Sequence, residues 1–221
     1  MSTAVLFDID GTLLDSNYLH ALAWRRAFLD IGHNVPTAWI HRHIGQGSDL
    51  LLRDLLPNAD ECTRDAASKH HQKHFDVLKP ELRAFDGARE LLAAVAQRGP
   101  RVVLASSAAS GELPALLEAL GGAEYIDVVT SSEDVTDAKP DPEIFRVAMA
   151  RAGVDAGSAI AVGDTVWDIE AARRDGIGCV AVLTGGISRA ELEDAGAVAV
   201  HRDAAELLAS LDSGPLRPLW T

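Results

Sequence analysis

The chain has 221 residues, of which 48% are hydrophobic and 24% charged, and its formal net charge is −13. That length holds one large domain, or one domain with a smaller insert, and the composition excludes a disordered or low-complexity chain. The acidic balance and the lack of any Lys/Arg-rich run argue against a nucleic-acid partner, and no apolar run approaches the roughly 20 residues needed to span a bilayer. A strand-like segment follows the first residues without a basic stretch or cleavage site, so a cytoplasmic protein is expected. Cys62 and Cys179 form no CxxC pattern; each is expected as a small buried hydrophobe in a reduced compartment.

In chain order, Ala4–Phe7 is a short apolar run that ends in Asp8-Ile9-Asp10-Gly11-Thr12, which reads as a buried strand meeting a glycine turn. The segment 16–85 has helical patterning and no convincing buried strand: Leu19, Leu22, Ala23 and Ala27, then 50–56 and 66–75. Pro80 and Gly87 interrupt periodicity at its far end. Apolar runs then return at 102–105, 126–129, 159–162 and 179–183, alternating with helical stretches at 88–98, 112–120, 142–152 and 167–174, with a last helix at 204–211. Gly185-Gly186 reads as a loop after the last apolar run. Such alternation implies an α/β protein, a Rossmann-like parallel sheet with helices on both faces. The expected division is a core from 1–15 and 86–221 and an inserted α-helical domain from 16–85.

In parallel sheets, ligands bind outside the carboxyl ends of the strands. The first run ends in Asp8 and Asp10, the second in Ser106, the third leads through a loop to Lys139, and the fourth ends in Asp164 with Asp168 beyond. Asp8 and Asp10, two apart, share a face of an extended chain. Close carboxylates repel, and a hard Mg2+ ion, which prefers oxygen ligands, resolves that repulsion. Asp164 offers another carboxylate, Lys139 a compact cation, and Ser106 a hydroxyl donor for a phosphoryl oxygen. Singly, each has a plainer reading: turn carboxylates, a helix cap for Ser106 or Asp164, a loop lysine, a surface helix residue for Asp168.

Together, Asp8-x-Asp10-Gly11-Thr12, Ser106, Lys139-Pro140-Asp141-Pro142 and Gly163-Asp164-Thr165-x-x-Asp168 resemble the four-motif signature of the haloacid dehalogenase superfamily. The resemblance covers essentially the whole chain. It implies Asp8 as the nucleophile, Asp10 as general acid and then base, and Ser106 and Lys139 as holders of the phosphoryl group. It further implies Mg2+ held by Asp8, the Asp10 carbonyl and Asp164, with Asp168 steadying Lys139 or a metal-bound water. The helical insert resembles the family's small α-helical cap, which closes over the site. Asp15-Ser16-x-x-x-His20 and Ile44-Gly45-x-Gly47 resemble stretches in the caps of phosphoglycolate phosphatases and β-phosphoglucomutases. The second stretch is the expected specificity loop, with Arg42, His43, Gly45 and Gln46 as candidate substrate contacts. His20, near the hinge, either tunes cap closure or packs.

The resemblance implies a phosphatase acting on a small phosphorylated metabolite. The alternative is a phosphomutase, whose cap arginine grips a second phosphate, and Gly45-Gln46-Gly47-Ser48-Asp49 contains no arginine. Dehalogenation has no need of Asp10, phosphonate cleavage needs an apolar cap lysine where Lys69 and Lys73 are crowded by polar neighbours, and an inactive scaffold would typically lose Asp8, Asp10 or Lys139. His70, His71 and His74 read as one solvated helix face. His70 and His74 have metal-compatible i,i+4 spacing, but no third ligand is apparent. Trp24, Trp39 and Trp167 read as packing residues.

Overall fold

Short apolar runs, buried on both faces, build the centre of the molecule, as parallel strands covered by helices require. The computed structural model describes residues 2–220. Its strands are β1 (Ala4–Phe7), β2 (Arg101–Ala105), β3 (Val128–Thr130), β4 (Ala159–Gly163), β5 (Gly178–Val182) and β6 (Ala199–His201). They form one sheet in the order β3-β2-β1-β4-β5-β6, parallel throughout. Val5 pairs with Val102 on one side and Ile160 on the other, so β1 is central. The chain order reverses direction across β1, which places a topological switch point at its carboxyl end.

Side-chain alternation divides the core into two layers. Val5 and Phe7 join the layer closed by α5 (Ala88–Arg98), α6 (Leu113–Leu120) and, near the C-terminus, Ala204–Ala209. Ala4 and Leu6 join the layer closed by the helices Glu143–Ala152, Val166–Arg174 and Arg189–Ala195, which are α7, α8 and α9; Ala204–Ala209 is therefore α10. The α/β expectation thus matches the structure, and the strands β1 to β5 and the helices that flank the sheet at 88–98, 112–120, 142–152, 167–174 and 204–211 fall within a residue or two of the expected limits, whereas the stretch expected at 66–75 extends over 61–78. Not anticipated were β6, α9 and the short helix Thr37–Arg42.

Between β1 and β2 lie the inserted helices α1 (Asn17–Asp30), α2 (Thr37–Arg42), α3 (Ser48–Leu55) and α4 (Glu61–Leu78). Asp60 caps α4 by accepting from Thr63 N at 2.8 Å, which satisfies one of the free donors of the first turn. Trp24, Phe28, Ile40, Leu51, Leu52 and Ala67 form the insert's own apolar cluster. Ala23, Phe75 and Leu78 instead join Phe7, Ile9 and Leu13 in the sheet layer. The two connecting segments are clipped together: Asp15 N donates to Arg83 O at 2.9 Å and Phe85 N to Leu13 O at 3.0 Å.

Three packing expectations are corrected. Cys62 is exposed, near the start of α4, while Cys179 is buried in β5. Trp39 is 63% exposed, because Ile40 beside it takes the inward position on α2. His71 is buried, so the α4 histidines do not share one solvated face.

Candidate active site

Asp8 stands one residue beyond β1, and its N–H donates to Val162 O at 2.9 Å, extending the pairing with β4. The chain then folds back on itself, with the N–H groups of Leu13 and Leu14 both donating to Ile9 O. Gly11 makes this turn at φ +77°, where an added Cβ would lie 2.2 Å from Asn17 Nδ2 and 2.4 Å from Asp164 Oδ2. Glycine is therefore demanded twice, by conformation and by space. Asp164, just past β4, receives Thr12 Oγ1 on Oδ1 and Asn17 Nδ2 on Oδ2, both at 2.8 Å. Gly185 closes the cradle from beyond β5, where a Cβ would stand 1.8 Å from Asp164 Oδ2.

Lys139 is 1% exposed and lies at the centre of the site. Its Nζ reaches Asp8 Oδ1 at 2.6 Å, Asp168 Oδ1 at 2.7 Å and Ala105 O at 3.3 Å. Asp168 also accepts on Oδ2 from Thr165 N at 3.1 Å and Thr165 Oγ1 at 2.6 Å, the capping box that opens α8. Ser106, fully buried after β2, accepts on Oγ from Ala108 N at 3.0 Å, and its neighbour Ser107 faces the crevice.

The electrostatics are those of crowded, desolvated acids. Burial pushes Asp8 up to about 7, with Asp168 and Asp10 adding to the rise and Lys139 opposing it. Burial likewise raises Asp164 well above the carboxylate range, helped by Asp168 and Asp8 and opposed by Thr12 and Asn17. Burial disfavours the Lys139 ammonium, but Asp168 and Asp8 outweigh it and hold the charge firmly on. Asp8, Asp164 and Asp168 each present a carboxylate oxygen, all within 4.8 Å of one another. Asn17 Oδ1 is buried there without a hydrogen-bond partner. An all-oxygen donor set with excess negative charge and an unsatisfied acceptor fits a hard divalent cation.

Asp10 belongs to a second arm of the site. Its Oδ1 accepts from Ser16 Oγ at 2.6 Å and lies 3.4 Å from His20 Nε2. His20 Nδ1 in turn is 3.2 Å from His71 Nε2, and its ring stacks on Phe75 at 3.9 Å between centroids. Burial opposes the charge on both Asp10 and His20, yet their mutual hydrogen bond wins: Asp10 falls below its ordinary value and His20 rises above its own. Burial, with His20 and His74 nearby, drives His71 well below the usual histidine range and keeps it neutral.

A crevice of about 260 Å³ opens over Asp8 and Asp10. From the insert it is bordered by His20, Trp24, Gln46 and His71, and from the start of α6 by the buried Glu112, whose burial raises its pKa. Gly45 also lines it, at φ +96° with an added Cβ only 2.7 Å from Thr165 Cγ2. Of the expected contacts, His20, Gly45 and Gln46 reach the crevice, while Arg42 pairs with Glu191 and His43 hydrogen-bonds Trp39 O at 2.7 Å. Arg42 and His43 are corrected on this point: α2 turns both side chains away. A neighbouring cavity contains Arg53 and Arg174 beside Lys139. Sequence reasoning quoted Thr12 within the first motif without assigning it a contact, and gave no role to Asn17, His71, Glu112 or Gly185. Of those four, only Asn17, adjoining Asp15-Ser16, and Gly185, in the Gly185-Gly186 pair, carried any signal.

A parallel sheet that sets a carboxylate–lysine–carboxylate cluster at its switch point, under a helical insert, defines an α/β hydrolytic enzyme. Residues 5–182 match the haloacid dehalogenase-like hydrolases, and the chain belongs to that family. It is 33% identical to a phosphoglycolate phosphatase of Rhodospirillum rubrum, covering 94% of this chain and 90% of that protein. It is 31% identical to a phosphorylated carbohydrates phosphatase of Thermotoga maritima, over 89% of this chain and 93% of that one. A crystal structure of a hydrolase from Pseudomonas syringae superposes with a TM-score of 0.90 at 32% identity, covering 96% of this chain and 98% of that chain. A β-phosphoglucomutase from Clostridium difficile shares the fold, with a TM-score of 0.82 at 22% identity over 94% of this chain and 93% of its own.

Proposed function

We propose that the chain is a Mg2+-dependent phosphatase that hydrolyses a small phosphomonoester through an aspartyl-phosphate on Asp8. The observation that carries this reading is Asp8 itself, a buried carboxylate held at 2.6 Å by Lys139 and facing an open crevice beside the Asp164 cradle. Relatives named as phosphatases, alike over most of their length, support it.

Asp8 attacks phosphorus as the bond to the leaving oxygen breaks. Lys139 neutralises charge on the phosphoryl oxygens, and the Ser106 hydroxyl is the second holder of the phosphoryl group. Asp10, two residues on, donates a proton to the leaving oxygen. At rest that proton sits on His20, 3.4 Å from Asp10 Oδ1, and it passes to Asp10 as the leaving oxygen takes one. Asp10 then takes a proton from the water that attacks the aspartyl-phosphate, and phosphate departs. Mg2+, held by Asp8, Asp164 and the Asp10 carbonyl, would offset the negative charge of phosphate among these acids. Asp168 keeps Lys139 in place and charged.

Residues 16–85 act as the cap over a core of 1–15 and 86–221, excluding water until substrate is seated. Gln46 and Gly45 belong to its specificity loop. The substrate is a small phosphorylated metabolite in the cytoplasm. Hydrolysis of p-nitrophenyl phosphate with Mg2+ or with EDTA tests the reading. Turnover should need the metal, and Asp8→Asn should lower it about 10³-fold or more with the fold retained. Metal-independent turnover, or an active Asp8→Asn protein, would overturn it.

A further inference from the structure

The histidine pair on α4, which lacked a third ligand in the sequence, gains one in the folded chain. His70 and His74 are four residues apart and share a face of the 18-residue α4. Asp30, the last residue of α1, reaches both. Its Oδ2 lies 2.9 Å from His70 Nδ1 and 2.7 Å from His74 Nε2. One ligand atom from each residue lies within 4.8 Å of the other two. None of the three borders the crevice over Asp8.

We propose that Asp30, His70 and His74 form a second metal site, on the helical insert, for a borderline divalent cation of the Zn2+ class. Two imidazole nitrogens and one carboxylate oxygen are the donor set such ions favour, with a fourth position left to water. The side chains are 38%, 38% and 22% exposed, so water has access to complete the coordination and no deeply buried charge is created. The state of His70 Nδ1 is the second observation. That nitrogen is shielded from solvent and makes no hydrogen bond, although a carboxylate oxygen stands 2.9 Å away. A cation between the two would accept an electron pair from each and satisfy both groups. Tetrahedral Zn2+ with bonds of about 2.0–2.2 Å sets its ligands about 3.3–3.5 Å apart, so Asp30 Oδ2 need part from each imidazole nitrogen by only about half an ångström.

Two sites on one chain then divide by chemistry. Mg2+ takes hard oxygen ligands and suits the acids around Asp8, whereas the mixed nitrogen and oxygen set on the insert discriminates against it. A metal there ties the end of α1 to the middle of α4, the two helices that carry His20 and His71.

The test uses the full chain, stripped with EDTA and returned to millimolar Mg2+. Zn2+ is titrated calorimetrically, and Co2+ is followed by its visible d–d absorption, which is intense in tetrahedral sites. One equivalent should bind, with an absorption band typical of tetrahedral coordination and a rise in Tm. Asp30→Asn and His74→Ala should each weaken binding by more than the ~10–100-fold that loss of an outer-shell partner costs. Asp8→Asn should leave binding unchanged. The proposal fails if the wild-type chain takes up no Zn2+ under these conditions, or if Asp30→Asn and His74→Ala bind as the wild type does. It fails equally if the tight site disappears with Asp8→Asn. His70→Gln, with circular dichroism of every variant, guards against a folding defect being read as lost binding.

Discussion

At the scale of single residues, the site is a set of acids held close at a cost in stability. Asp8 has its pKa raised to about 7, whereas in the unfolded chain it would ionise near the ordinary aspartate value of 3.8. Between those values the native state holds a proton that the unfolded state has released, so this group makes stability fall as pH rises, and the loss persists above pH 7. Asp164 pulls in the same direction. In EDTA, the Tm of the wild type should therefore drop relative to that of Asp8→Asn as pH rises from about 4 to 8. Mg2+ should raise the wild-type Tm more than the variant's; scanning calorimetry in both conditions checks this, and an Asp8→Asn protein less stable than wild type at pH 8 in EDTA would contradict it. The Asp10–His20 pair titrates differently. Burial opposes the imidazolium, Asp10 overrides it, and the pair keeps its proton above the ordinary histidine range. In His20→Gln the proton would rest on a carboxylate alone, so the alkaline limb of kcat/KM against pH should move to lower pH. An unmoved limb would remove His20 from proton handling. Asp8, Asp10, Ser106, Lys139, Asp164 and Asp168 were legible because each adjoins a strand end or carries a local motif. Thr12 stood in the first motif, but its bond to Asp164 was not legible, nor were Asn17, His71 and Glu112, because those roles arise from how a turn folds back and how helices are rotated about their axes. Rotation also explains Arg42, which is close to the loop in sequence but faces Glu191 in space.

At the scale of elements, alternation of apolar runs with amphipathic helices located five of the strands and most of the helices to within a residue or two. The failures share a cause. β6 has three residues, all only half-buried, and lies at the sheet edge, so it lacks the continuous apolar run that marks a central strand. Helix α2 has six residues and a single buried one, Ile40, too little to set a period. The loop from Ile44 to Gly47 shows what a legible motif leaves out. Its glycine at position 45 is not only a turn residue, because it brings the insert's backbone against Thr165 of the core. Gly45→Ala adds a Cβ at 2.7 Å from Thr165 Cγ2 and forces a residue with a side chain to φ +96°. Strain of about 1–3 kcal/mol should push the loop off the core. We expect kcat/KM for the best metabolite substrate to fall by about tenfold or more, the equivalent of 1.4 kcal/mol. Turnover of a small substrate with few cap contacts, such as acetyl phosphate, should fall less. Equal losses for both would place the defect in the chemistry instead of the insert.

At the scale of the whole molecule, the question is whether insert and core fold as one. A division at 16–85 suggests two independent bodies, yet the apolar clusters do not respect it. Phe75 and Leu78 of α4 and Ala23 of α1 belong to the layer that contains Phe7, Ile9, Leu13 and Leu14. Phe75 is fully buried, stacks on His20 and so joins the sheet layer to the arm that holds Asp10. Contiguous packing of this kind couples unfolding, since opening the insert would expose part of the core. The wild type should therefore lose its helical circular dichroism and its tryptophan signal in one urea transition, with Trp24 reporting on the insert and Trp220 on the sheet layer. Phe75→Ala removes the shared ring and should cost about 3–5 kcal/mol. Because the loss falls on the seam, it should also uncouple the two regions. The tryptophan transition of the variant should then broaden or split and cease to coincide with the circular dichroism. A Phe75→Ala protein that is destabilised by that amount but still unfolds in one coincident step would show that the insert is coupled to the core by other contacts, with the clip at Asp15–Arg83 and Leu13–Phe85 the first to examine.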